Sequence, residues 1–286
     1  MLYNTGTMNL SWRIAAAVLI GGAFAACASA PQIPLVDPFP LHFPLTEAWT
    51  LEIEGTIAGQ PWAKDGIVYC RTGDGSVTAV VASSRAVLSR LGVDSSLPDL
   101  SGQTGELVFE RDAGSLRAVD KRGRIVWTFK GDGAIAADPV AAERRVYFGD
   151  TGRVFYCLDA ATGKVKWRRR LQGAPVQPAV IGGGAIAVAA SNSVVYRLAR
   201  RSGSILSWEA IPSRVIYELA AAGPLVLISS ASPTVTALDL RTGKRAGQYE
   251  APGLLVAGAV WSAPYIVLFI EDEESGRQKI VFLRPR

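Results

Sequence analysis

The stretch VFYCLDAATGKVKWRRRLQG, residues 154–173, decides the fold. It holds two short β-prone runs, Val154 to Leu158 and Val165 to Trp167, around the cluster Asp159-Ala160-Ala161-Thr162-Gly163. Aspartate bonds the backbone two residues ahead and glycine takes the positive φ of a tight turn, so the stretch reads as an antiparallel hairpin. The hairpin recurs. Forty residues earlier stands SLRAVDKRGRIVWTFKG, with Gly123 and Trp127. Forty residues later stands VVYRLARRSGSILSWEA, with Gly203 and Trp208, and forty beyond that TVTALDLRTGKRAGQYE, with Gly243 and Tyr249. A fixed period of this size, all strand and turn, marks a repeat architecture.

Between the hairpins lie a short proline-bearing run, a turn and a strong strand such as Val146-Tyr147-Phe148. Each unit therefore reads as four strands, A to D, with proline at the start of A and the hairpin supplying C and D. Units fall at about 56–92, 93–132, 133–173, 174–212, 213–252 and 253–286. The sixth lacks a D strand. An unpaired D-like strand, LEIE preceded by Trp49, stands at 47–54, before the first unit. A four-stranded unit has apolar faces it cannot cover alone, and radial stacking buries them. The expectation is an all-β chain: a six-bladed β-propeller of four-stranded antiparallel blades, closed by strand 47–54 completing the last blade.

Composition narrows the chemistry. Of 286 residues 49% are hydrophobic and 19% charged, which suits a packed fold. The single histidine, His42, lies in a proline-rich segment, so a histidine-based triad or metal cluster is not expected. Residues 1–27 read as a leader: Arg13 in the n-region, Ile14 to Ala26 as a 13-residue apolar run, and Met8 as an alternative start. The run ends Phe24-Ala25-Ala26-Cys27. This resembles the bacterial lipobox, whose cysteine receives lipid; cleavage at Ala28-Ser29-Ala30 is the other reading. Loss of Arg13 leaves 29 Lys and Arg against 25 Asp and Glu, a net charge of +4, too mild to argue for nucleic acid. Residues 28–46 carry Pro31, Pro34, Pro38, Pro40 and Pro44 and read as a tether. Its Leu35, Phe39, Leu41 and Phe43 are apolar for a free linker, so part of it is expected along the folded domain, 47–286.

The hairpin LDAATGKVKW resembles the PQQ-like repeat, roughly Leu-Asp-x-x-Thr-Gly-x-x-x-Trp. Asp159, Thr162, Gly163 and Trp167 match in full; Asp239, Thr242 and Gly243 match with Tyr249 late for the tryptophan. Asp120, Gly123 and Trp127 match with Arg122 in the threonine slot, and Gly203 with Trp208 matches loosely. Lipobox, tether and propeller together are similar to the outer-membrane assembly lipoproteins, whose propeller has eight blades where this chain has residues for six. That resemblance implies a lipid anchor at the outer membrane, a domain facing the periplasm, envelope protein partners and no nucleic acid. The alternative class is a small-ligand or quinone-cofactor-binding propeller, a quinoprotein-type enzyme or sensor. The quinoprotein enzymes carry a vicinal cysteine pair and an acidic calcium-binding constellation, and this sequence has no adjacent cysteines. No catalytic, cofactor-binding or metal residue is therefore assigned, and the expected role is a non-enzymatic scaffold.

Individual residues divide into architecture and candidate surface. Asp120, Asp159 and Asp239 precede turns and read as turn caps. Trp127, Trp167 and Trp208 read as packing between neighbouring blades, and Cys70 and Cys157, inside strands, as buried thiols. Gly182-Gly183-Gly184 lacks the Lys-Ser/Thr of a phosphate loop and reads as a turn. Arg168, Arg169 and Arg170, followed by Arg200 and Arg201, are the candidate partner-binding basic rim. Three successive strand residues cannot all face one side, so at least one lies along a blade face. The plain alternative is a solvated outer strand whose charge blocks edge pairing. Glu271 to Glu274 read as an acidic, solvated loop.

Overall fold

In the computed structural model the described residues are 41, 43–91, 103–104, 107–112 and 114–286. The leader 1–27 with Cys27, the tether as far as Pro40, and His42 lie outside them. The described residues form six antiparallel sheets, each a blade. Blade 1 comprises Trp62–Lys64, Ile67–Arg71, Val77–Val81 and Val87–Leu91. Blade 2 comprises Gln103–Thr104, Leu107–Asp112, Ser115–Asp120 and Ile125–Lys130. Blade 3 comprises Val140–Ala142, Arg145–Gly149, Val154–Asp159 and Val165–Arg170. Blade 4 comprises Val180–Gly182, Ala185–Ala190, Val194–Ala199 and Ile205–Ala210. Blade 5 comprises Ala220–Ala222, Leu225–Ser229, Thr234–Asp239 and Arg245–Glu250. In each, the strands are A to D in that order.

Blade 6 is built from both ends of the chain. Val260–Ser262 pairs with Tyr265–Glu271, which pairs with Gln278–Pro285. Leu45–Ile53 then adds antiparallel to Gln278–Pro285 as its D strand. The closing strand thus begins two residues before the expected 47–54. Trp49 stands opposite Phe282 and stacks on it, centroids 3.6 Å apart. The A strands of blades 1 and 5 both touch that of blade 6, which puts the A strands innermost and closes the ring.

Burial follows from stacking. Strands B and C lie between neighbouring blades, so in blades 3 to 6 they are buried over most of their length: Ala185–Ala190 is buried at every position. D strands form the outer edge and alternate, as in Val165–Arg170. Among the described residues five apolar clusters each straddle two neighbouring blades, from the 2–3 junction around to the 6–1 junction. A bulge sits at one place in every blade, between Cys157 and Leu158 in blade 3 and at the corresponding step in the others. It gives the outer strand extra twist where it meets the next blade.

Candidate functional site

The C–D turns are built by their aspartates. Asp159 Oδ1 accepts from the Thr162 amide and hydroxyl, at 3.1 and 3.0 Å. Asp239 Oδ1 accepts from the amides of Arg241 and Thr242, and Asp120 Oδ1 from those of Arg122 and Arg124. Lys166, 3.1 Å from Asp159, holds that carboxyl below its ordinary range. These carboxylates face their own turns rather than a common centre. Among the described residues no group of three or more His, Cys, Asp or Glu is placed to hold a metal ion.

The D strand and the next blade's turn form a repeated joint. Trp127 lies opposite Ala118 and Trp167 opposite Cys157, just past the bulge. Trp127 packs on Gly163, where an added Cβ would come within 2.7 Å of the indole, and Trp167 packs in the same way on Gly203. The indole nitrogens donate into those turns, Trp127 to the Ala160 carbonyl at 2.9 Å and Trp167 to that of Arg200 at 3.1 Å. Glycine is needed twice over there, for its positive φ and for the ring resting on it.

Trp208 does not belong to this series. Register places Ser207, not Trp208, at the joint position, opposite Arg197. Trp208 is one residue further on, so it points to the other face and is 63% exposed. The joint is made instead by Arg197, whose guanidinium donates to the carbonyls of Leu240 (2.6 Å) and Arg241 beside Gly243. In blade 5 the position falls to Gly247, and Phe43 occupies the space a side chain there would need. In blade 6 it is Trp49, with the Arg85 guanidinium 5.8 Å from the ring centroid. Arg85 stands at positive φ, where the other turns have glycine.

The basic rim is split by the same joints. Arg169 turns inward, donating from Nε to the Gly203 carbonyl at 2.8 Å. Arg200 packs between blades 3 and 4, pairing with Glu143 at 2.9 Å and donating to the Tyr147 hydroxyl at 3.3 Å. Both therefore take part in the joint between blades 3 and 4. Arg168 and Arg170 alternate outward and are exposed, as is Arg201 in the neighbouring turn. Arg168 reaches Asp132 at 3.6 Å, an exposed pair that contributes little. Residue spacing alone could not separate the two kinds of arginine, because their partners lie about a blade away in sequence. The exposure of Trp208, and of Leu206 two residues before it, went unrecognised in the sequence. The signal was present: Trp208 follows Gly203 by five residues, where Trp167 follows Gly163 by four.

Cys70 and Cys157 are free and buried, and burial pushes both thiols up to about 11. Gly183 and Gly184 take positive φ in the turn between strands A and B of blade 4. In the acidic loop, Lys279 Nζ donates to Asp272 at 2.5 Å and Ser275 caps the same carboxylate. These bonds hold Asp272 far below the usual carboxylate range, so this acid is a loop fastener.

A family profile described as outer membrane protein assembly factor BamB matches residues 112–253, which run from the end of strand B of blade 2 through blade 5. The match covers strands C and D of blade 2 and all of blades 3, 4 and 5. Among solved structures, BamB from Moraxella catarrhalis is similar at a TM-score of 0.50 and 17% identity, over 83% of this chain and 88% of that one. At that identity the likeness concerns the fold. In all, 1430 chains of solved structures match, so the fold by itself does not fix a function. No curated protein matches this chain.

Proposed function

We propose that this PQQ-like propeller is a non-catalytic scaffold of the cell envelope. It is lipid-anchored through Cys27 at the outer membrane, faces the periplasm, and binds a protein partner in outer-membrane protein assembly. The observation that carries this reading is a set of exposed groups on the outer strands of blades 3 and 4 and on the turn between strands C and D of blade 4. Arg168, Arg170 and Arg201 supply positive charge there, and Leu206 and Trp208 supply apolar anchorage. Arginine and tryptophan are the residue types that most often dominate protein–protein binding energy. Strands Val165–Arg170 and Ile205–Ala210 are outer edges with free backbone groups, so an extended acidic segment can dock by strand addition with its charges on the arginines. The match of residues 112–253 to the BamB profile supports the assignment to outer-membrane assembly, and the lipobox supports the anchor.

Two experiments test it. Affinity purification of the full chain from detergent-solubilised envelopes should recover a stable partner that is lost when Arg168, Arg170 and Arg201 are changed to Glu. Recovery of no partner, or one indifferent to the charge reversal, counts against the reading. Labelled palmitate should enter the wild type and not Cys27→Ser; equal labelling of both removes the anchor.

A further inference from the structure

Blades 3, 4 and 5 share a register position on the side opposite the tryptophan joint, on strand C. In blade 3, Tyr156 fills it. The ring packs on Phe129 and Phe148, and the hydroxyl donates to Asp150 at 2.8 Å while accepting from the Asp132 amide at 3.0 Å. In blade 4, Tyr196 stands at the same register position, opposite Trp208 as Tyr156 stands opposite Arg168. In blade 5 the position is Thr236, opposite Gln248. The change from tyrosine to threonine removes an aromatic ring and leaves a groove of about 340 Å³ between blades 4 and 5. That volume falls within the range of small-molecule sites.

The lining is chemically selective. Ser230, Ser232, Thr234, Thr236, Gln248 and Glu250 form one wall, with Ile211 and Pro212 on the other side. Gln248 is partly engaged, donating to the Thr236 hydroxyl at 3.1 Å, and Ser230 bonds Ser232 at 3.0 Å. The Glu250 carboxylate has no side-chain partner among the described residues. No Lys, Arg or His lines the groove, which disfavours phosphate and carboxylate ligands. Hydroxyls both donate and accept, the amide does both, and the carboxylate accepts strongly. We propose that the groove between blades 4 and 5 is a binding site for a short neutral saccharide, whose hydroxyls meet this wall while its C–H face lies on Ile211 and Pro212. The site is separate from the groups proposed for the protein partner, and either can fail without the other.

The test uses the full propeller chain with cellobiose, maltotriose and N-acetylated chitotriose as probes, read by saturation-transfer NMR and titration calorimetry. At least one saccharide should bind. Thr236→Tyr, which installs the residue blades 3 and 4 already accommodate, should abolish that binding while leaving the melting temperature near wild type. Glu250→Gln, an exposed change that does not challenge folding, should weaken it about tenfold or more, the expected loss for a hydrogen bond to a charged group. The proposal is overturned if no saccharide binds, or if binding survives both changes. It is also overturned if spermidine binds in preference to every saccharide and is lost in Glu250→Gln, since the groove would then be a site for cations.

Discussion

Trp167 joins two blades in two ways, with its ring on Gly203 and its indole nitrogen on the Arg200 carbonyl. Removing it leaves a cavity and an unmatched carbonyl. Trp167→Ala should therefore lose about 3–5 kcal/mol of stability. Trp208→Ala removes an exposed ring and should stay within about 0.5 kcal/mol. Urea denaturation of the two variants measures the contrast, and equal losses would refute the assignment of the two tryptophans to opposite faces. The cysteines make a second prediction at this scale. An unfolded thiol titrates near 8.5, whereas burial raises Cys70 and Cys157 to about 11. A raised folded pKa favours the folded state below the unfolded pKa, and that contribution is lost as pH climbs from about 8.5 towards about 11. The melting temperature should fall across this window, and fall less in a Cys70→Ala, Cys157→Ala variant. An unchanged pH profile in that variant would remove the thiols as the cause.

At the scale of the element, the joints show how one position can be solved in several ways. Tryptophan on glycine makes the joints from blade 2 to 3 and from blade 3 to 4. Between blades 5 and 6 the sizes are exchanged: strand D has Gly247, and Phe43, at the entrance to the closing strand, supplies the ring. Leu41 is buried in the same cluster, so the last residues read as tether are part of the packing. Gly247→Ala should destabilise the wild type by driving a methyl into Phe43, and should cost less in a Phe43→Ala background. A coupling of about 1 kcal/mol or more in thermal or urea melts is expected; strict additivity would mean the two residues do not share the space. The sequence showed the period because turn and strand chemistry repeat locally. It did not show Arg197 standing in for a tryptophan, or Phe43 for another, because those substitutions come from elements distant in the chain. The distance from glycine to aromatic residue did grow, from four residues at Gly163 to five at Gly203 and six at Gly243. In a strand one added residue reverses the face, so the departure was readable as a change of role.

At the scale of the molecule, the ring depends on Leu45–Ile53 pairing with Gln278–Pro285. Deleting residues 45–53 exposes Phe282 and a long strand edge, and should yield an aggregating chain. Deletion ending at residue 40 keeps Leu41, Phe43 and the closing strand, and should give a chain that stays dispersed and melts cooperatively. Light scattering and thermal melts distinguish the two. Closure in turn fixes the outer strands in place, and with them the exposed groups Arg168, Arg170, Arg201, Leu206 and Trp208 on which the proposed scaffold function rests. Site-specific photo-cross-linking in intact cells tests that claim most directly. A photoreactive residue at position 170, 201 or 208 should give one discrete protein adduct, while the same residue at exposed position 246, on the outer strand of blade 5, should give none. Absence of an adduct at all three of the first positions, or an equal adduct at position 246, would contradict the account.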